Sequence, residues 1–261
     1  MPDSESMYST AVVKSIAKRV VPDSLLFTTT PPLVSAYARL VTWYAYGRYY
    51  QTRIDPFEIV YIDPFDVDQI ITVKGREYFQ YSDAVSEVIG GDWDKHVLEL
   101  EEYDLYKAFV DHFENGCPWK KTDFYDRAQQ IFHRGEQKWG CKNITEFENR
   151  LRRIDDLFRA IETEGYKSQS ELRQESRSDP ALRRIHQYWP PKLHEIALVI
   201  SRDGSLIAFE GRHRLSIARI LNISEIPVRI KGRHKLWQKY REELNNSSRK
   251  ELITSHPDFK Q

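Results

Sequence analysis

One stretch near the C-terminal end of the chain constrains the fold more than any other. Residues 194–230 read as strand, tight turn, strand, glycine, helix and strand, with few residues left for loops. Apolar residues alternate and then run together through 195–201, and Gly204 permits the positive φ of a tight turn before a second strand at 205–210. Apolar residues then recur at helical spacing, and 226–230 returns as a strand. The stretch predicts a compact α/β unit.

The junction between the second strand and the helix carries the chemistry. Gly211 is followed by Arg212, His213 and Arg214, which places two guanidinium groups and an imidazole at a helix N-terminus. Free backbone N–H groups and the helix dipole favour an anion there, and arginine adds bidentate recognition of phosphate. Neighbouring cations disfavour the charged form of His213, so we expect a neutral hydrogen-bond donor. These four residues are the predicted phosphate site.

The same residues carry a resemblance. The segment 209–230 resembles the core of the ParB/sulfiredoxin-like superfamily, whose members have a glycine, one or two variable residues and His-Arg or Arg-Arg at this turn. Most of the chain also resembles a prokaryotic family with no established activity. That family shares the GRHR helix, an RH..W element (Arg233-His234 with Trp237), GGDWD at 90–94 and WGC at 139–141.

The superfamily resemblance implies a nucleotide-phosphate cradle at this turn. Members bind ATP in sulfiredoxins, CTP in ParB, and ADP or ATP in free-serine kinases. A sulfiredoxin-type reduction is excluded here, because Arg212 stands where that reaction needs a cysteine. Glu210 comes directly before the glycine, where superfamily members often place an acidic residue. We expect it to accept a proton from a substrate hydroxyl or to bind Mg²⁺.

Composition and charge narrow the classes of protein. The 261 residues contain 39 basic and 39 acidic side chains, which removes the basic excess typical of nucleic-acid binders. Two cysteines without metal-ligand spacing, no evident signal peptide and no run of about eighteen apolar residues predict a cytoplasmic protein without a transmembrane segment. A local basic run from Arg229 to Lys235 lies beside the cradle. It adds Arg233 and His234 to the predicted phosphate-binding residues and keeps a nucleic-acid partner as an alternative.

The predicted fold class is α+β, with a mainly helical N-terminal region (1–150), a small ParB/sulfiredoxin-like α/β unit (151–245) and a polar tail (246–261). Helical spacing predicts helices at 10–21, 33–50, 98–115 and 123–135, with Thr122 capping the last of these. A capping box of Thr145 and Glu148 predicts a further helix to residue 164. The helix at 33–50 is rich in aromatic residues, which favours a core or partner-facing position over a membrane surface and leaves a homodimer open.

The GGDWD cluster has two interpretations. Asp92, Trp93 and Asp94 could hold a divalent cation, an amine or a sugar hydroxyl of a second substrate, because paired glycines allow a close backbone approach. Alternatively, Asp92 caps a helix and Trp93 fills the core. The substrate interpretation requires that the cluster converge on the same cleft as Arg212.

Together these observations predict a nucleotide-dependent phosphotransferase that acts on a small hydroxyl-bearing metabolite or saccharide. Glu210 and His213 are the expected catalytic residues, and ATP or another nucleotide with Mg²⁺ is the expected cofactor. The alternative is a non-catalytic, ParB-like module that binds nucleotide for regulation or associates with nucleic acid. A third interpretation pairs Arg212 and Arg214 with carboxylates of the N-terminal region, which would only join two domains.

Overall fold

The computed structural model describes residues 23–181, 189–246 and 256–259. The helix predicted at 10–21 and most of the polar tail lie outside these residues. The described strands are β1 (Ile59–Ile62), β2 (Gln69–Ile71), β3 (Glu87–Ile89), β4 (Val97–Glu99), β5 (Ile196–Ile200), β6 (Leu206–Glu210) and β7 (Ile226–His234). The described α-helices are α1 (Asp23–Thr42), α2 (Val73–Arg76), α3 (Asp104–Phe109), α4 (Asp123–His133), α5 (Ile144–Glu164), α6 (Gln169–Gln174), α7 (Arg212–Ile220) and α8 (Lys235–Asn245).

All seven strands form one mixed sheet, which confirms the α+β class. Their order is β1-β7-β5-β6-β2-β4, and β3 pairs with the C-terminal part of β7. The hairpin of β5 and β6 is antiparallel, whereas β5 runs parallel to β7. The three strands from after residue 150 (β7, β5 and β6) are adjacent in the sheet, strands from before residue 150 pair on both sides of them, and α5 runs through that position. The division predicted at 150 does not separate two sheets.

The central strand β5 is buried on both faces of the sheet. Ile196, Leu198 and Ile200 pack into a core under α7 and α8, and Ala197 and Val199 join a smaller core on the other face. The predicted alternation is confirmed, but the strand is fully buried rather than half-buried. A third core lies between α3, α4 and α5 and reaches the sheet through Ile217 of α7. The helical layer is thereby attached directly to the helix that follows Gly211.

Several local predictions need correction. Helix α1 begins at Asp23 and contains Pro31 and Pro32, because the fixed φ of proline is a helical value even though its missing N–H removes a hydrogen bond. The predicted helix at 98–115 is instead β4, a 3₁₀ turn, α3 and a π-helical turn, because Leu98 pairs with Ile70 in the sheet. Long-range pairing outweighs local helical spacing here.

Helix capping is partly as predicted. The Thr122 hydroxyl accepts a hydrogen bond from the Tyr125 N–H at the start of α4 (3.3 Å). Helix α5 begins two residues earlier than expected, and its cap is Asn143, whose Oδ1 accepts from the Glu146 N–H (2.9 Å), rather than Thr145. Asparagine competes well with threonine as a cap, and the sequence pattern alone does not separate the two.

The aromatic face of α1 is exposed. Five large side chains of α1 and the following π-helical turn face solvent: Leu33, Tyr37, Leu40, Trp43 and Tyr44. These residues do not fill a core within the described chain, and the homodimer that they leave open stays a prediction. None of the described helices is long and apolar enough to cross a membrane.

Candidate functional site

The turn between β6 and α7 requires glycine for two reasons. Gly211 has φ +81° and ψ +23°, in the left-handed region that other residues rarely adopt. A Cβ atom there would lie 2.7 Å from the Cα of Ile196 on β5. The close approach holds the N-terminus of the nine-residue α7 against the end of the sheet.

A cavity of about 500 Å³ opens at this turn. Five polar side chains line it: Arg76, Arg150, Glu210, Arg212 and His213. The rest of the lining is mainly aromatic and aliphatic: Tyr103, Leu105, Phe124, Trp139, Phe147, Leu151 and Ile154. The combination of apolar walls with a few converging polar groups is typical of small-molecule sites.

Among the residues predicted to bind phosphate, Arg212 has the surroundings that best suit an anion. Its Nη1 donates to the Tyr103 hydroxyl (2.9 Å), and its guanidinium lies 5.2 Å from the centre of that ring. No carboxylate of the described residues lies within ion-pair distance of this guanidinium, which separates Arg212 from most other arginines at the turn. Its charge is therefore not neutralised by an ion pair among those residues.

His213 lies between the cavity and the helical core. Its ring stacks on Phe109 with centroids 5.9 Å apart, and its Nε2 is 3.4 Å from Nη2 of Arg150. Burial, and then the charges of Arg150 and Arg212, lower the pKa of His213 to about 3. The imidazole is therefore neutral near pH 7, as expected from the sequence. Because a guanidinium only donates, Nε2 is the acceptor and Nδ1 carries the proton.

Glu210 and Arg76 lie close together at the turn. Oε1 of Glu210 is 3.7 Å from Nη1 of Arg76, whose guanidinium also lies over the Phe209 ring at 4.3 Å. Burial, with a smaller effect of Asp83, raises the pKa of Glu210 against the opposing effects of nearby arginines. A carboxyl of this kind can accept a proton or bind a cation.

A second, smaller cavity of about 150 Å³ is lined by residues of the same turn. It shares Glu210, Gly211 and His213 with the large cavity and adds Glu195 from the residue before β5. Oε1 of Glu195 accepts a hydrogen bond from the backbone N–H of Gln169 at the start of α6 (2.6 Å). Burial raises the pKa of Glu195 to about 7, although the charge of Arg214 opposes the shift.

Arg214 does not serve the predicted phosphate site. It is buried, and its three guanidinium nitrogens all have partners within the chain. Nη1 donates to Oδ2 of Asp179 (3.0 Å), Nε donates to the hydroxyl of Tyr166 (3.0 Å), and Nη2 donates to the carbonyl of Lys167. Arg214 therefore forms a structural ion pair, which was the third interpretation of the arginines at this turn. Its partner, however, lies within 151–245 and not in the N-terminal region.

Arg233 and His234 also lie away from both cavities. Arg233 is fully buried and binds Asp258 through Nε and Nη2, with Glu58 at 3.5 Å. His234 donates from Nε2 to the carbonyl of Gly91 (3.0 Å) and accepts at Nδ1 from the Leu236 N–H, which caps α8. Both residues were predicted to bind phosphate, and their hydrogen bonds are instead used within the fold.

The GGDWD cluster is structural as well. Asp94 accepts from the backbone N–H of Arg202 (3.0 Å) and from its guanidinium (2.7 and 2.8 Å), while Asp92 binds the same guanidinium and Lys95. Trp93 is fully buried against Phe79 and His234. Asp92 does not cap the following 3₁₀ turn with its side chain.

Arg202 lies in the turn of the β5–β6 hairpin, and Gly211 follows the opposite end of β6. The cluster therefore does not converge on the cleft at Arg212. The substrate role predicted for Asp92, Trp93 and Asp94 fails on this geometry, and the interpretation of Trp93 as a core residue is confirmed.

Sequence reasoning missed several residues of the two cavities, among them Arg76, Arg150 and Glu195. Arg76 lies in a segment to which the sequence pattern assigns no element, and Glu195 only begins the apolar pattern at 195–201. Arg150 had a usable signal, because it shares the i, i+3, i+4, i+7 face of Phe147, Leu151 and Ile154 on α5. A cation within an apolar stripe indicates a polar partner or ligand.

Neither a search for metal-binding groups nor comparison with known proteins narrows the function of the site further. Within the described part of the chain, no group of three or more His, Cys, Asp and Glu side chains is arranged to hold a metal ion. Comparison of the chain with protein-family models, with curated proteins and with solved structures found no match. The ParB/sulfiredoxin-like resemblance therefore stays a prediction from the residues at 209–230.

Proposed function

We propose that this protein is a phosphotransferase that binds a nucleotide in the large cavity, with the nucleotide phosphates at the N-terminus of α7. The observation that supports this most directly is Arg212, a cation at a helix N-terminus with no carboxylate partner among the described residues. Arg76 and Arg150 approach the same cavity from α2 and α5. Three guanidinium groups from separate elements around one helix end suit a polyphosphate.

The aromatic part of the lining suits a nucleoside. Phe124, Trp139 and Phe147 present aromatic rings within the same cavity of about 500 Å³, which lies in the size range of sites for small ligands. Aromatic rings stack on every nucleobase without selecting one. In the proposed complex the base lies on these rings and the phosphates reach the guanidinium groups.

The residues of the turn have distinct roles in this proposal. Arg212 and the backbone N–H groups of α7 orient the terminal phosphate, while neutral His213 adds a hydrogen bond and no charge. Glu210 is the single predicted metal-binding carboxylate at the cavity. It suits Mg²⁺ only together with phosphate oxygens, which is the usual way in which proteins hold this ion. Bound Mg²⁺ would neutralise charge that develops on the transferred phosphoryl group.

The nucleic-acid alternative loses its main support. It rested on the basic run from Arg229 to Lys235, but Arg229, Lys231 and Arg233 are fully buried in β7. Lys231, for example, donates to Glu87 at 2.6 Å, and both side chains are inaccessible to solvent. A buried cation that is paired inside the protein cannot attract a phosphate backbone.

Calorimetric titration of ATP, ADP and CTP with Mg²⁺ tests the proposal. We expect binding by the wild-type protein and at least a tenfold weaker affinity for Arg212→Ala, since a hydrogen bond to a charged group contributes about 1.5–3 kcal/mol. Arg150→Ala should weaken binding too. Arg152→Ala is the matched control, because Arg152 is an exposed residue on the same helix.

Two results would contradict the proposal: no binding of any of the three nucleotides, or an Arg212→Ala variant with wild-type affinity. Formation of a phosphorylated product from a panel of small hydroxyl compounds distinguishes the phosphotransferase from the non-catalytic nucleotide-binding alternative.

A further inference from the structure

Glu195 carries a polar atom that the fold does not use. The residue is 3% exposed, and Oε2 accepts no hydrogen bond from the described part of the chain. Among the described residues, it is the only carboxylate with a buried oxygen in this state. Leaving such an oxygen unsatisfied costs free energy, and the cost is larger when the group is charged. A purely structural role accounts for Oε1, which binds the Gln169 N–H, but not for Oε2.

The backbone holds this carboxyl beside the phosphate turn. Glu195 directly precedes Ile196, the residue against which Gly211 makes its close approach. Its Oε1 is fixed by the first turn of α6, where Ser168 and Glu171 form a capping box. One oxygen is thus anchored, and the carboxyl belongs to the wall of the small cavity.

The small cavity is built for a small polar molecule. Its volume of about 150 Å³ corresponds to about five water molecules at roughly 30 Å³ each. Glu210, Gly211 and His213 line both cavities. A molecule in the small cavity would therefore lie at the same turn as the phosphates proposed for the large one.

The charges around the small cavity restrict its ligand. Arg214 and Asp179 neutralise each other at 3.0 Å, and Glu210 is 3.7 Å from Arg76, which leaves the carboxyl of Glu195. The polar and charged groups around Glu195 among the described residues are Gln169, Glu171, Asp179, His194, Glu210, His213 and Arg214. A carboxyl group without an ion-pair partner disfavours an anionic ligand and favours an uncharged or cationic one.

We propose that the small cavity binds the acceptor, a small uncharged or cationic hydroxyl compound, and that Glu195 removes its hydroxyl proton. This inference rests on the proposed phosphotransferase function. The acceptor proton passes to Oε2 of Glu195, and the acceptor oxygen forms a bond to the terminal phosphorus. The bond from that phosphorus to the bridging oxygen breaks, and the nucleoside diphosphate leaves with the electron pair. Glu210 then remains available to bind Mg²⁺ together with the phosphate oxygens.

The ionisation of Glu195 suits this role. A general base works best when its pKa lies near the working pH, and burial brings the pKa of Glu195 to about 7. Proton transfer to a positioned side chain typically contributes a factor of about 10² to 10⁴ in rate. Removal of the carboxylate should therefore lower turnover by at least about 100-fold.

The test measures ATP turnover with water, glycerol and ethanolamine as acceptors, beside calorimetric ATP affinity, for wild type, Glu195→Gln and Glu175→Gln. We expect Glu195→Gln to bind ATP within twofold of wild type, to lose at least about 100-fold in turnover, and to lose a pH–rate inflection near 7. Glu175→Gln is the matched control, because Glu175 ends α6 and its carboxylate is exposed. It should behave like wild type in every measurement.

The outcomes separate the two proposals. If wild type does not bind ATP, the proposed function fails and this inference fails with it. If wild type binds ATP but Glu195→Gln keeps both its turnover and its pH profile, only the role of Glu195 is overturned. Wild-type binding of ATP without turnover on water or either alcohol also overturns the inference.

Discussion

The tripeptide Gly-Arg-His occurs twice in this chain, at 211–213 and at 232–234, with opposite outcomes. In the first copy the guanidinium of Arg212 faces a cavity and has no carboxylate partner among the described residues. In the second copy Arg233 is inaccessible to solvent and is held by Asp258 and Glu58. The tripeptide by itself therefore does not indicate a binding site. A binding site is indicated only where the fold leaves the charges of the tripeptide without ion-pair partners.

The two histidines differ in the same way. His213 is neutral with its proton on Nδ1, and its Nε2 accepts from Arg150. His234 has the opposite tautomer, because Nε2 donates to the carbonyl of Gly91 while Nδ1 caps α8. The second motif is also tied to the GGDWD element, whose Gly91 and Trp93 contact His234. Those motifs hold each other in place.

The difference between the two Gly-Arg-His copies predicts that Arg233→Ala has the largest effect on stability. The substitution leaves Asp258 buried with less compensation, and breaking a buried ion pair costs about 3–5 kcal/mol. Urea unfolding monitored by circular dichroism should show this loss, whereas Arg212→Ala should change the free energy of unfolding by less than about 1 kcal/mol. Equal losses in the two variants would remove the distinction between the two motifs.

Glu195→Gln should stabilise the protein at high pH. In wild type the folded-state pKa is raised from 4.5 to about 7, so the free energy of unfolding falls as pH rises through this range and is constant above it. Glutamine does not titrate. The stability difference between variant and wild type should grow between pH 4.5 and 7, to roughly 3 kcal/mol.

Unfolding measured at several pH values checks this prediction, with Glu175→Gln as the control for an exposed carboxylate. A difference between Glu195→Gln and wild type that does not vary with pH would show that Glu195 ionises normally in the folded protein.

The two glycines of the repeated tripeptide should differ in how much stability is lost when each is replaced by alanine. Gly211→Ala combines φ +81° with a contact of 2.7 Å to backbone, and we expect a loss of about 2–3 kcal/mol. Gly232 has no positive φ, and its nearest neighbour at 2.7 Å is the ring of Phe79, a side chain that can shift. Gly232→Ala should lose about 1–2 kcal/mol. Thermal unfolding of both variants gives the order, and the reverse order would contradict the close approach at Ile196.

The smallest effect is expected within GGDWD. Asp94→Asn removes a buried carboxylate that holds Arg202 through three hydrogen bonds, which should cost about 1–2 kcal/mol. Asp92→Asn changes an exposed carboxylate and should leave the free energy of unfolding unchanged. Neither variant should alter nucleotide affinity in the calorimetric titration. Loss of ATP turnover with hydroxyl acceptors in both variants, without a change in ATP affinity, would restore the second-substrate role that the geometry removes.

Local pattern predicted the part of the fold that depends on neighbours in the sequence. The order of β5, β6, α7 and β7, the glycine at 211 and the Thr122 cap follow from apolar periodicity and turn chemistry. The same reasoning missed β4, because a three-residue strand has too few positions to show its period. The sequence pattern also ends β7 at residue 230 instead of His234, because a run of cationic residues is typical of a solvent-exposed segment.

The sequence by itself determined the α+β class, the strand–turn–strand–helix unit and the cationic turn at Gly211, since each depends on residues close together in the chain. Only the tertiary structure decided which charges are free. It brought Asp258 to Arg233, Asp179 to Arg214 and Asp94 to Arg202, and it brought Arg76, Arg150 and Glu195 to the turn. The physical reason is that a charge is neutralised, or left to bind a ligand, by groups within a few ångströms in space, and sequence separation does not encode that distance.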